Sequence, residues 1–102
     1  MPRAQAIQLM ADKTLRVRIH GRVQGVFFRH HTKQMADALG LSGWVRNRAD
    51  GSVETICSGS TDALEQMVDW LRLGPDSAVV NKVDIDELGD QSSPHPTFTI
   101  RY

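Results

Sequence analysis

The stretch Leu15-Arg16-Val17-Arg18-Ile19-His20-Gly21-Arg22-Val23-Gln24-Gly25-Val26-Phe27-Phe28-Arg29 decides how this chain is read. Its first six residues alternate, with Leu15, Val17 and Ile19 set against Arg16, Arg18 and His20. That pattern predicts a strand with one buried face. Gly21 to Val26 then forms a glycine-bearing loop. From Phe28 the apolar spacing becomes helical, through Thr32, Met35, Ala36 and Leu39. Gly40 suits the position after the helix end, and Leu41 is placed for the hydrophobic contact that accompanies such a stop.

Working outward, a second strand is expected at about Gly43 to Arg48 and a third at about Ser52 to Ser58. Ala49-Asp50-Gly51 between them is a tight turn, so the two should pair as a hairpin. The third strand alternates poorly, because Val53, Ile56 and Cys57 do not share a face. Ser60, Thr61 or Asp62 can cap a second helix, with Glu65 at the reciprocal position if Asp62 is the cap. Leu64, Met67, Val68 and Leu71 form its apolar stripe, and Gly74-Pro75 ends it. A fourth strand places Val83 and Ile85 between Lys82, Asp84 and Asp86. After the loop Gly89 to Pro96, a last strand carries Phe98, Ile100 and Tyr102 on one face.

Strand, helix, strand, strand, helix, strand, plus a short terminal strand, is the order of an α+β, ferredoxin-like split βαβ fold. Both helices then cover one face of an antiparallel sheet. Right-handed crossovers make the first and second strands parallel, with the third between them. The loop Gly21–Val26 and Asn47 therefore meet at one edge of the sheet, although they are far apart in the chain.

The 102 residues suffice for one domain. Residues 1–13 read as a flexible polar leader, since Gln5, Gln8 and Asp12 interrupt any apolar run, and residues 14–102 as the folded domain. An apolar content of 40% with 24% charged residues fits a globular chain and argues against disorder. Twelve basic residues balance twelve acidic ones, so no whole-chain attraction to nucleic acid or to an anionic membrane is expected. No apolar run approaches the ~20 residues of a membrane span. Cys57 is the only cysteine, which rules out an intrachain disulfide and any CxxC motif. A cytoplasmic location is the expectation.

The chemistry lies in Gly21 to Arg29. Glycine permits positive φ and close approach of backbone to a ligand. Free N–H groups can then converge on one concavity at a helix N-terminus, which is an anion site. Arg29 falls in the first helical turn, where its planar fork can grip a phosphate. A plain turn with a solvated arginine is the competing reading, and loop physics alone leaves both open. A nucleotide P-loop is excluded, because the spacing is GxxxG and no Lys-Ser or Lys-Thr pair follows.

The nine residues Gly21-Arg22-Val23-Gln24-Gly25-Val26-Phe27-Phe28-Arg29 match the acylphosphatase signature GxVQGVxFR throughout. Thr32, Ala36, Leu39-Gly40-Leu41, Gly43-Trp44-Val45-Arg46-Asn47, Asp50-Gly51-Ser52-Val53-Glu54, Gly74-Pro75 and Phe98-Thr99-Ile100-Arg101-Tyr102 also fit that family's pattern. The chain thus resembles an acylphosphatase from about Leu15 to Tyr102. Thr55–Ser58 and Asp76-Ser77 are looser fits. The resemblance implies hydrolysis of small acyl phosphates to carboxylate and inorganic phosphate, without metal, cofactor or covalent intermediate. It implies that Arg29 binds the phosphate, that the backbone N–H groups of Arg22, Val23, Gln24, Gly25 and Val26 cradle it, and that Asn47 positions the attacking water. The acyl group is expected to project toward solvent, with low selectivity among acyl phosphates. A monomer inhibited by its product phosphate is expected, with no nucleic-acid or membrane partner.

Other candidates are weaker. His30 and His31 are adjacent on a helix, about 100° apart, and do not converge as an i, i+4 pair would. With His20 and His95 they lack the carboxylates or cysteines that would complete a metal site. Cys57 sits in a strand with no evident base. Asp50 is what a hairpin turn needs anyway. Arg46 and Arg48 flank Asn47 on the opposite sheet face, either as solvated residues or as a source of positive potential. Trp44 and Trp70 are expected in the core or at its edge, and Phe27 could border the substrate pocket. The alternative function is a non-catalytic acylphosphatase-like module that holds phosphate or carbamoyl phosphate. RNA-recognition domains share the element order but need aromatics on the central strands, and Val53-Glu54-Thr55-Ile56-Cys57 has none. A copper-carrying ferredoxin-like domain would need a second cysteine.

Overall fold

The computed structural model describes residues 13–89 and 97–102. In chain order the elements are β1 (Lys13–Arg22), α1 (Phe28–Leu39), β2 (Ser42–Asn47), β3 (Val53–Gly59), α2 (Thr61–Leu73), β4 (Val79–Glu87) and β5 (Phe98–Arg101). The strands make one sheet in the order β4-β1-β3-β2-β5. β3 is antiparallel to both β1 and β2, so those two are parallel to each other with β3 between them. β4 pairs antiparallel with β1, and β5 pairs parallel with β2. This is the α+β, ferredoxin-like arrangement that the element order predicts. β1 opens at Lys13, so the last residue of the expected leader belongs to the sheet. The rest of that leader, residues 1–12, and His95 lie outside the described residues.

One sheet face packs against the helices. Val17 lies opposite Thr55, and Thr55 opposite Val45, so the three align across the sheet. With Ile19, Val53, Cys57 and Phe98 they are buried. They meet Phe28, Thr32 and Ala36 of α1 and Leu64, Met67 and Leu71 of α2. Each large apolar side chain buried this way contributes roughly 1.5–3 kcal/mol. The Phe28 ring sits 5.7 Å from that of Trp70, at the half-buried edge of this core.

The poor alternation of β3 has a simple cause: it is the central strand, and side chains of the flanking strands bury its residues even on the face without helices. On the face away from the helices, Glu54 is buried at 3% exposure. Its carboxylate accepts from Arg46 Nη2 at 2.7 Å, Arg46 Nε at 2.9 Å and Arg18 Nε at 3.1 Å. Arg46 is therefore neither a free solvated residue nor a source of uncompensated potential. Arg48 lies 3.6 Å from Asp50. Trp44 belongs to this open face too, opposite Ile56, and is half-buried. The Arg101 and Arg46 guanidinium groups lie 4.5 Å and 5.4 Å from its ring centre. The sequence expectation of a core-side tryptophan holds for Trp70 but not for Trp44, because register puts Trp44 on the other face.

Helix ends follow from local chemistry. Ser60 is the cap of α2, its Oγ accepting from the Ala63 N–H at 3.2 Å, while Asp62 lies in the first turn, where a negative charge is favourable. At the end of α1 the Gly40 N–H donates to Asp37 O at 3.2 Å and the Leu41 N–H to Ala36 O at 2.9 Å. These two bonds, with Leu41 buried, form a Schellman stop. The β1–β4 register shifts between His20 and Gly21. There Gly21 lies so close to the Val79 carbonyl that a β-carbon would collide with it, so only glycine lets the end of β1 hug β4 before the chain turns away.

Candidate active site

The loop leaving β1 is pinned at several points. Val23 is buried and anchors it to the core. The Gln24 side-chain amide donates to Arg48 O at 2.8 Å and Ser52 O at 2.9 Å, tying the loop to the β2–β3 hairpin. Gly25 adopts φ +76° with open space around it, a left-handed turn that glycine takes without steric cost. Phe27, at φ 60° and ψ 26°, precedes the first turn of α1. Among the described residues it is the only non-glycine with positive φ. For a bulky residue that conformation costs on the order of 1–2 kcal/mol.

The start of α1 differs from that of α2. No side chain caps it, and no acidic residue sits in its first turn. Its unpaired N–H groups and dipole therefore leave a positive end for an external anion. Arg29 stands in that first turn. Its Nη1 donates to Arg101 O at a long 3.3 Å, and its guanidinium lies 4.7 Å from the Tyr102 ring centre. Among the described residues no carboxylate forms an ion pair with it. A dianion could displace the neutral carbonyl at a gain, since it offers the guanidinium fork two oxygens and an opposite charge.

Asn47 ends β2 opposite Val53. It shares a concavity of about 240 Å³ with Val23, Gly25, Phe27, Phe28 and Arg29. Loop, helix start and strand end thus converge as the topology predicts, and Arg29 is the only charged residue of this lining. Of the other expected cradle residues, Gln24 acts through its side chain on the hairpin. Arg22 is the exposed last residue of β1, paired with Val79. Val26 packs against the core. The sequence reading took Gln24 only for its N–H; its side-chain tie becomes visible once the hairpin is seen beside the loop. Tyr102 beside Arg29 was also missed. The parallel β2–β5 pairing, ending at Arg46 and Arg101, brings the chain end there.

The remaining candidates lie elsewhere. Asp50 accepts from the Ser52 hydroxyl at 2.6 Å and the Ser52 N–H at 2.9 Å. Those bonds hold its carboxyl below the usual range, and its role is in the turn. Burial pushes the Cys57 thiol up to about 12, which makes it a poor nucleophile. His20 pairs with Asp84 at 3.1 Å on the open sheet face. Among the described residues no three His, Cys, Asp or Glu side chains cluster as a metal site would require.

The acylphosphatase family profile matches residues 15–100. An acylphosphatase of Thiobacillus denitrificans is 49% identical over 81 residues, covering 79% of this chain and 91% of that protein. One from Albidiferax ferrireducens is 54% identical over 76 residues, covering 74% and 83%. The crystal structure of acylphosphatase from Bacillus subtilis superposes with a TM-score of 0.84 at 36% identity, covering 88% of this chain and 99% of that one. With the profile spanning β1 to β5, and relatives alike in sequence and fold over most of their length, this chain belongs to the acylphosphatase family.

Proposed function

We propose that this protein hydrolyses small acyl phosphates, with Arg29 and the 22–26 backbone holding the phosphoryl group and Asn47 placing the attacking water. The observation that carries this reading is the concavity shared by Gly25, Arg29 and Asn47, which belong to three different segments of the chain. In it a phosphoryl group would meet the uncapped start of α1 and the one guanidinium. The water oxygen attacks phosphorus, and the bond from phosphorus to the carboxyl oxygen breaks. An acyl phosphate dianion and water become a carboxylate and dihydrogen phosphate, so both water protons end on phosphate. The carboxylate leaves without protonation, and no general acid is needed. What remains is positioning and stabilisation of equatorial charge. Among the described residues none hydrogen-bonds the Asn47 side chain, so its amide is free to engage a water, and being neutral it does not repel an anionic substrate.

The same chemistry supports independence from metal ions and inhibition by the product phosphate. A cytoplasmic monomer remains our reading of the single buried cysteine and of an open sheet face rich in paired charges. The test is hydrolysis of benzoyl phosphate by purified protein in a chelator, beside an Asn47→Ala variant whose fold is verified by circular dichroism. Turnover by wild type that vanishes in folded Asn47→Ala supports the reading. Absence of turnover by folded wild type overturns it, and phosphate binding without turnover would then favour the non-catalytic module.

A further inference from the structure

We infer that the outer edge of β4 pairs antiparallel with the β4 of a second copy of this chain, with Val83 on the two-fold axis, as a weak contact that fills only at high protein concentration. This goes beyond the hydrolase reading and does not rest on it.

β4 ends the sheet order and is nine residues long, whereas β5 at the opposite edge has four. Among the described residues no strand pairs with its outer side. Just past its end, the Leu88 N–H donates to Thr14 O at 2.8 Å. Backbone groups alternate in direction along a strand, so Lys82, Asp84 and Asp86 turn theirs toward β1, while Val83, Ile85 and Glu87 turn theirs outward. Outward N–H and C=O groups are a template for another strand. Val79 and Ile85 on this edge are 54% and 38% exposed, apolar surface that a paired strand would cover.

The charges select the partner and its register. An antiparallel pair centred on Val83 sets Lys82 of each copy opposite Asp84 of the other. These pairs fall between the ladder hydrogen bonds, where facing side chains are closest. Sliding one copy by two residues puts Lys82 opposite Lys82, or Asp84 opposite Asp84, and both arrangements repel. Asp86 and Glu87 run alongside Val80 and Val79, which carry no charge, and they keep their own cations: Arg16 at 3.2 Å and Lys13 at 3.9 Å. Within one copy Lys82 Nζ lies 3.7 Å from Asp84 Oδ1, and Asp84 also meets His20 at 3.1 Å. A second copy gives each lysine a second carboxylate, so that four charges alternate in sign around the axis. A charged edge ordinarily repels another strand, but this one complements itself under a two-fold rotation.

Nine residues a side fall short of the about 20–30 of a standard interface, so a Kd of about 0.1 mM is expected and the protein is monomeric in a dilute assay. No residue of β4 lines the concavity shared by Arg29 and Asn47, so turnover per chain is expected to be the same in either state.

The test is sedimentation velocity on the full chain from about 10 µM to about 1 mM. It compares wild type, Lys82→Asp, Asp84→Lys and an equimolar mixture of the two variants, with each fold verified by circular dichroism. Wild type is expected to dimerise over this range. Each variant alone should associate at least about ten-fold more weakly, because like charges then face each other. The mixture should recover dimers, since one copy presents two acids and the other two lysines. Lys82 is 68% exposed, so Lys82→Asp tests the pairing even where Asp84→Lys does not fold. A wild-type monomer at the highest concentration, a Lys82→Asp variant that dimerises as well as wild type, or a mixture of folded variants that stays monomeric overturns the inference. Hydrogen–deuterium exchange over Val79–Glu87 names the occupant. Protection that grows with concentration supports a second copy, and full protection at the lowest concentration assigns the edge to another segment of the same chain and overturns it.

Discussion

The side-chain amide of Gln24 donates to the carbonyl of Arg48 at 2.8 Å, one residue beyond Asn47. Its bond to Ser52 O closes the same clamp from the far side of the turn. The loop expected to hold phosphate is thus fastened to the hairpin that carries Asn47. This side chain therefore joins the sheet in holding the loop beside Asn47.

Gln24→Ala removes both bonds at once. The two carbonyls keep other partners, since Ser52 O accepts from the Arg48 N–H and Arg48 O from the Gly51 N–H. The stability loss should therefore be about 1–2 kcal/mol, read by urea denaturation. The loss in kcat/KM should be larger in proportion, about ten-fold or more, because small misplacements of reacting groups are costly. Full activity in a folded Gln24→Ala would mean that the sheet alone holds the geometry.

Asn47→Ala and Arg29→Ala separate two roles. Asn47→Ala should lower kcat by about 10²–10³-fold and leave inhibition by inorganic phosphate intact. Arg29→Ala should lose turnover and phosphate inhibition together. Steady-state assays with phosphate titrated into each variant decide it. Equal loss of phosphate inhibition in both would remove the division of labour.

Glu54 makes stability depend on pH. Its burial opposes the charged form, but hydrogen bonds and attraction from Arg46 and Arg18 prevail and hold its carboxyl below the usual 4.5. A lowered folded pKa contributes stability that is present above the unfolded value and lost as pH falls through the folded one. Glu54→Gln should cost about 1–3 kcal/mol at neutral pH, below the range for fully buried pairs because both arginines are partly exposed and can rehydrate. The gap between wild type and Glu54→Gln should narrow below pH 4.5. Denaturation midpoints from pH 3 to 7 check the sign, and a constant gap would contradict it.

Cys57 should be silent to thiol reagents in the folded protein. It is fully buried, and its thiol is raised to about 12, so almost no thiolate exists at neutral pH. A colorimetric disulfide reagent should react only at the rate of unfolding, and fully in denaturant. Prompt reaction in native buffer would show that β3 is accessible.

Much of this architecture was legible from local pattern. The alternation of Leu15, Val17 and Ile19, the helical spacing from Phe28 to Leu39 and the stop at Gly40-Leu41 are short-range signals, because backbone geometry fixes which side chains share a face. The order of elements then limited the topology, since crossovers have a preferred hand. The meeting of Arg29 with Asn47 followed from that order, and the signature residues pointed to the same site.

Other features depended on pairing across the sheet. Trp44 and Glu54 lie on the face away from the helices because register assigns them there, and a strand buried on both faces carries no clear alternation to reveal it. The choice of Ser60 as cap depended on where α2 begins, which neighbouring candidate residues leave ambiguous. The Gln24 clamp joins residues more than twenty positions apart, and Tyr102 reaches Arg29 only because β5 pairs with β2. Sequence by itself determined the elements, their order and the family resemblance. The tertiary structure alone decided which side chains hold that site in shape and what borders it, because those contacts join segments whose separation in the chain carries no periodic signal.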